Sequence, residues 1–386
     1  MTRRVLHLID TGGPGGAETV FLDVVSGLDA SRWASLAVIP TLDWLHGALA
    51  GRGIEPVILG GSGSFDVRFL RALIGTARRH RAELIHTHLL GSAVYGGLAA
   101  RALRIPAVST FHGQVDIDED EPFRAAKLRI VWRRNTRVVF VSEALRRFFL
   151  GSSGRPVAEE ITRVVHNGLD LDAFEARRDP DIRATLGYGP EHTVIGAIGN
   201  VRPAKAYDML LWAAARVHEE RPEARFLIAG EGSGGPLEDL LDLRAALGLD
   251  DVVEFVGFRE DVPGLFRALD VFVLSSTFEG FSLSTLQAVA SGVPAVATRS
   301  GGPEEILEDG VSGILVEPDA PEALARGLVS VLDGALTGGV PPRLAERRRL
   351  ADVDRFTTGA MVRAYEDLYE ELLDGGAEKR PPAGRA

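Results

Sequence analysis

A carboxylate set between serines, a glycine and a helix start can hold a polyol beside a phosphate. The chain carries that combination at Ser275-Ser276 and in Glu279-Gly280-Phe281-Ser282-Leu283-Ser284-Thr285-Leu286-Gln287-Ala288. The apolar run before it, Val271-Phe272-Val273-Leu274, reads as a buried strand. Ser282 or Ser284 is placed to cap the helix that follows. Glu279 then stands at the mouth of a strand, beside a helix N-terminus whose free N–H groups attract phosphate. The carboxylate repels an anion but accepts hydrogen bonds from sugar hydroxyls. The layout suits a ligand with both a diphosphate and a polyol.

A second segment supplies the opposite charge. Gly199-Asn200-Val201-Arg202-Pro203-Ala204-Lys205 follows an apolar strand and presents two cations. Cations beside a leaving diphosphate stabilise its charge as a glycosidic bond breaks, and can replace a divalent metal. Ala229-Gly230-Glu231-Gly232 and Phe255-Val256-Gly257-Phe258-Arg259 end two further strands. Ser300-Gly301-Gly302-Pro303-Glu304-Glu305 is a tight loop before a helix that Glu305 is placed to cap. In the first half, Gly15-Gly16-Ala17-Glu18 opens a helix, but the spacing is not that of a dinucleotide fingerprint. Thr110-Phe111-His112-Gly113 sets a histidine just past the carboxyl end of a strand, where open α/β sheets bind ligands. His88 is the weaker candidate, and His86 is expected to point to the other face and pack. The acidic loop of Asp116, Asp118, Glu119, Asp120 and Glu121 lacks metal-ligand geometry, so no metal site is expected.

These residues need strand ends to position them, and the chain supplies them in series. Apolar runs at 5–9, 36–39, 83–87, 107–110 and 138–141 alternate with helical patterns. A second series has runs at 194–198, 225–229, 253–256, 271–274, 295–297 and 313–316. Such alternation predicts α/β layers with parallel sheets. The polar stretch from Phe174 to Pro190 sets the expected boundary, giving residues 1–177 and 178–357 as two domains. An amphipathic helix over 358–374 and a Gly/Pro/charge-rich tail over 375–386, expected to be disordered, complete the chain.

Bulk properties narrow the class. The 386 residues suit two cores, and 45% hydrophobic with 25% charged residues is globular composition. Absence of cysteine excludes disulfides and thiolate chemistry. The net charge of −11 argues against nucleic acid as a partner. No apolar run approaches a bilayer span, and the start reads as a first strand, so a cytoplasmic place is expected. Arg124 to Arg134 is basic and amphipathic, and Arg68, Arg71, Arg78, Arg79 and Arg81 add to it, which suits peripheral contact with anionic lipid. The sequence sets no oligomeric state.

Glu279 and the residues to Gln287 resemble the Glu-x7-Glu motif of the retaining, GT-B fold glycosyltransferases of family 4. Gln287 stands where the family has its second Glu. The resemblance implies two Rossmann-like domains facing across a cleft, with the last helix crossing back to the N-terminal domain. That domain would bind a glycan, lipid-linked or small hydroxyl acceptor, and the other a nucleotide diphospho-sugar used as co-substrate, with no cofactor. The implied reaction is hexose transfer with retention, in cell-surface glycan or glycolipid synthesis. His112, Arg202, Lys205 and Glu279 would serve the chemistry. Gly15, Gly16, Asn200, Glu231, Phe258, Arg259, Gly280, Phe281, Ser282, Leu283 and Gln287 would join Arg202, Lys205 and Glu279 around the donor. Gln287 can still accept from a ribose hydroxyl, without the charge-assisted bond. The rivals are a nucleotide-sugar epimerase on the same architecture and a catalytically silent sugar-nucleotide-binding homologue.

Overall fold

The structure, a computed structural model, describes residues 2–61, 66–114, 123–152, 159–174, 180–336 and 352–375. The acidic loop 116–121 and the tail beyond Gly375 lie outside them.

In the first half, strands and helices alternate: β1 Arg3–Ile9, α1 Gly16–Gly27, β2 Trp33–Ile39, α2 Trp44–Gly51, β3 Val57–Ile58, α3 Val67–His80, β4 Leu84–His88 and α4 Leu90–Leu103. They continue with β5 Ala107–Phe111, α5 Arg124–Arg134, β6 Arg137–Phe140, α6 Glu143–Ser152 and β7 Thr162–Val164. The sheet order is β3-β2-β1-β4-β5-β6-β7, all parallel. Its central strands are buried along their length, as a parallel sheet covered on both faces requires. Chain order reverses between β1 and β4, which opens a crevice at the carboxyl ends of those strands.

The second half repeats the plan: α7 Pro180–Thr185, β8 Thr193–Ile198, α8 Tyr207–Glu220, β9 Ala224–Ala229, α9 Gly235–Ala246, β10 Val253–Gly257 and α10 Val262–Ala268. Then come β11 Val271–Leu274, α11 Leu283–Ala290, β12 Ala295–Thr298, β13 Ile314–Val316 and α12 Pro321–Leu332. This sheet runs β10-β9-β8-β11-β12-β13, also parallel, with its reversal between β8 and β11. Its core is apolar, built on Leu211, Phe226, Val271 and Leu324.

The chain divides into Met1–Gly168 with Thr358–Ala386, and Leu169–Thr357. The break falls after Gly168, not after Arg177. The Leu169 N–H already donates to the Phe356 carbonyl at 2.9 Å, and Phe174 packs on Phe266. The polar stretch from Phe174 is thus an internal connection of the second unit. The last helix, α13 (Thr358–Asp374), belongs to the first unit. Tyr369 lies edge-on to Trp33, and Glu366 accepts from the Asp29 N–H at 2.8 Å. A Cβ on Gly27 would lie 2.8 Å from Val362, so α1 and α13 meet closely there.

Candidate active site

In the second unit, Lys205 and Glu279 come together at the reversal of the sheet. Lys205 sits in a short 3-10 turn after β8, and Glu279 follows β11. Lys205 Nζ donates to Glu279 Oε1 at 2.6 Å, with side chains 20% and 12% exposed. The same oxygen accepts from Ser276 Oγ at 2.6 Å. Hydrogen bonds to both backbones fix the partners. The Glu279 N–H donates to Ser300 O at 2.8 Å, and Ser275 Oγ donates to Lys205 O at 2.7 Å. A cation and a carboxylate meeting at a strand end, partly open to solvent, can separate to hold an anion and a polyol.

The neighbouring loops are held by backbone contact. A Cβ at Gly302 would meet the Phe281 carbonyl carbon at 2.4 Å, so only glycine lets these two loops pack. A Cβ at Gly230 would meet Gly199 O at 2.0 Å. Asn200 Oδ1 accepts from the Glu231 N–H at 2.9 Å, tying the loop after β8 to the loop after β9. The Tyr207 hydroxyl donates to Gly199 O at 2.6 Å, and burial, then the Glu279 charge, push that hydroxyl upward in pKa. Arg202 is exposed and makes no ion pair among the described residues. Phe258 and Arg259 are exposed after β10 on the same carboxyl edge.

Several expectations change. Ser282 occupies the N-cap position of α11, but its φ is 68°, and its hydroxyl bonds Thr285 Oγ1 at 2.8 Å. No side chain caps the helix, which leaves its first N–H groups for a ligand. Phe281 is buried against Phe356, so only its backbone is available at the site. Glu304, not Glu305, closes the tight loop by accepting from the Gly301 N–H at 2.9 Å. On α11 only Leu283 and Gln287 keep partial exposure, one turn apart on one face, next to Gly280 and Glu279 in the chain. Ala206, after Lys205, has φ 45°, the left-handed region that glycine favours, so its methyl group is strained.

In the first unit, Gly15 is extended and Gly16 begins α1 without a side-chain cap. A Cβ on Gly15 would meet Glu18 Oε2 at 2.4 Å. His112 follows β5 and meets His88, at the end of β4, with 2.9 Å between ring nitrogens. His86 and His88 lie on one face, ring centroids 4.4 Å apart, and not on opposite faces. Residues two apart on a strand point the same way. His86 is packed as expected: Nδ1 meets the Tyr369 hydroxyl at 2.6 Å and Nε2 meets Thr110 Oγ1 at 2.8 Å. Thr110 in turn meets the Tyr365 hydroxyl at 3.1 Å. Burial pulls His112 down to about 3 and His86 and His88 well below the ordinary 6.5. These rings are neutral at physiological pH. Sequence reading placed Ser276 beside the carboxylate but singled out none of Tyr207, Tyr365 and Tyr369. Among the described residues, no group of three His, Cys, Asp or Glu side chains is placed to hold a metal ion.

Residues 14–173 match the family described as Glycosyltransferase Family 4, and 192–334 match Glycosyl transferases group 1. A D-inositol 3-phosphate glycosyltransferase of Streptomyces scabiei is 30% identical over 95% of this chain and 89% of its own. Its Corynebacterium kroppenstedtii counterpart is 31% identical over 83% and 74%. Among solved structures, Anabaena HepE in complex with UDP-glucose superposes with a TM-score of 0.83 at 25% identity, over 96% of this chain and 100% of that one. Sucrose-phosphate synthase of Thermosynechococcus elongatus, at 19% identity and a TM-score of 0.78, shares the fold. The chain belongs to the family 4 glycosyltransferases and has their GT-B fold of two Rossmann-like units.

Proposed function

We propose that this enzyme moves a hexose-type sugar from a nucleotide diphospho-sugar to a hydroxyl acceptor, with retention, without metal or cofactor, in cell-surface glycan or glycolipid synthesis. The Lys205–Glu279 pair carries the reading. Lys205 turns from Glu279 to the diphosphate, Arg202 joins it, and Glu279 is freed to accept from the sugar hydroxyls while Ser276 holds its other contact. The two cations and the uncapped α11 then stabilise the leaving diphosphate, which is where charge develops. Retention needs no covalent nucleophile if the leaving phosphate takes the acceptor proton. Gln287, partly exposed one turn into α11, takes the ribose in this reading. HepE binds UDP-glucose, so that donor is the first to test. The relatives' name makes an inositol phosphate the first acceptor to try. A thermal-shift panel of nucleotide sugars finds the donor, because a ligand raises apparent stability. Turnover of that donor should then persist in excess EDTA. Loss on chelation, with recovery on Mg²⁺ or Mn²⁺, contradicts the metal-free mechanism.

One surface favours a lipid-linked acceptor. α4 packs against both α3 and α5. Residues 67–81, 90–104 and 124–134 contain no Asp or Glu, while Arg71, Arg78, Arg101, Arg104, Arg129 and Arg133 are exposed there. Lys127 is the exception, turned inward. Val67 and Phe123, at the starts of α3 and α5, are 57% and 67% exposed. Exposed apolar side chains beside arginines fit anionic lipid. Co-sedimentation with liposomes should rise with anionic lipid and fall with salt. Equal binding to neutral vesicles removes this reading.

A further inference from the structure

Ser282 stands in a left-handed conformation, φ 68°, between Phe281 and the first turn of α11. A non-glycine residue held there is strained, and persists only where its surroundings determine it. The bond of its hydroxyl to Thr285 Oγ1 acts only inside that turn. The support for the loop from Glu279 to Leu283 has to come from outside it.

Part of it is the loop from Ser300 to Glu305. The Glu279 N–H donates to Ser300 O, and the Gly302 N–H donates back to Glu279 O at 3.2 Å. With Gly302 lying on the Phe281 backbone, the two loops are locked together. The rest is the short 3-10 turn Val353–Phe356, just before the chain returns to the first unit. This turn holds each loop by one side chain. The Phe356 ring is buried edge-to-face on Phe281, with centroids 5.2 Å and planes 67° apart. Phe281 directly precedes Ser282. Arg355 donates to Glu305 O at 2.7 Å and sets its guanidinium 4.4 Å from the Phe356 ring centroid. The turn is itself anchored, because Val353 is fully buried and the Phe356 carbonyl accepts from the Leu169 N–H.

We infer that Arg355 and Phe356 are positioning residues that clamp the two loops, Phe356 through Phe281 and Arg355 through the Glu305 carbonyl, and so fix Glu279 and the open N-terminus of α11. The clamp belongs to the second unit and reaches the site from a distant part of the chain. Its importance for binding rests on the proposed donor site at Glu279. The clamping of the loops does not.

Calorimetric titration of UDP separates positioning from packing. A variant that only folds less well binds at fewer sites per chain with an unchanged Kd. A mispositioned site keeps the stoichiometry and raises Kd. Phe356→Leu fills similar space without the aromatic edge and should raise the Kd for UDP about tenfold, as a small displacement of binding groups does. Arg355→Ala should raise it about threefold, the scale of one hydrogen bond. Phe281→Leu should match Phe356→Leu, and the double variant should bind no more weakly than either, because the two rings act through one contact. Without nucleotide, hydrogen exchange over 279–286 and 300–307 should quicken in Arg355→Ala and Phe356→Leu, with β8 and β9 unchanged. An unchanged Kd in both variants, additive losses in the double variant, or unchanged exchange in the two loops overturns the proposal. If Phe356→Leu does not fold, Arg355→Ala decides, since that side chain is 52% exposed. If UDP does not bind the wild type, the uridine-donor reading fails, and the exchange experiment alone decides the clamp.

Discussion

The two units share a sheet plan and bury different chemistry. The first sets His7, His86 and His88 fully inside, with Thr110 and the Tyr365 and Tyr369 hydroxyls of α13 around them. The second has an apolar core, buries Arg183 against Asp270, and keeps a further charged pair, Lys205 and Glu279, at the rim of the sheet. Buried neutral rings specify one packing and resist change. A rim ion pair of modest exposure can be pulled apart by a competing anion. One unit is thus built to hold a side chain still, and the other to exchange a partner.

The largest expected effect follows from breaking the rim pair. Glu279→Gln keeps an acceptor for Ser276 but removes the charge opposite Lys205, and kcat should fall on the order of 10² or more. Turnover near the wild-type value would show that the carboxylate is not needed in the transition state.

Acid should separate the units next. His7 is held near 3 by burial, with neither ring nitrogen paired, and His86 and His88 are also held down. The unfolded chain takes up protons at about 6.5 and the folded one does not. Stability is therefore full above pH 6.5 and is lost as pH falls toward 3. At pH 5 the loss is on the order of 2 kcal/mol for each fully buried ring. Hydrogen exchange at pH 7 and pH 5 should show β1, β4 and β5 losing protection before β8, β9 and β11. Equal loss in both units would contradict the comparison.

A smaller effect is local to the second unit. Ala206→Gly should relieve the left-handed backbone after Lys205 and raise stability by about 0.5–1 kcal/mol. Chemical denaturation that shows a loss instead would place the Ala206 methyl group, which is buried, above the strain in importance. Least of all, Gln287→Glu should hold or lower donor KM with kcat changed little, since a ribose contact is made equally in ground and transition states. Identical KM for Gln287→Glu, Gln287→Ala and the wild type would remove Gln287 from the ribose.

The architecture was legible because alternating apolar runs and glycine loops report parallel strands directly. β3, two residues long, leaves too short a run to read. Lys205 and Glu279 were legible from their spacing after strands. What failed was finer. Ser282 adopts a left-handed conformation that no neighbouring residue announces. The cap at Glu304 differs from Glu305 by one position in a tight turn. The shared face of His86 and His88 follows from strand period and could have been read. Tyr365 and Tyr369 reach the histidines from the far end of the chain, a juxtaposition that only the fold creates.

The central claim is that the pair at the rim of the second sheet exchanges its internal partner for a diphosphate. Calorimetric titration of UDP and UDP-glucose into wild type and Lys205→Ala, in EDTA, tests it most directly. Binding to the wild type without metal, weakened about tenfold or more in Lys205→Ala, is the expected result, equivalent to about 1.4 kcal/mol or more. Equal affinity in both proteins, or binding only when metal is restored, would contradict it.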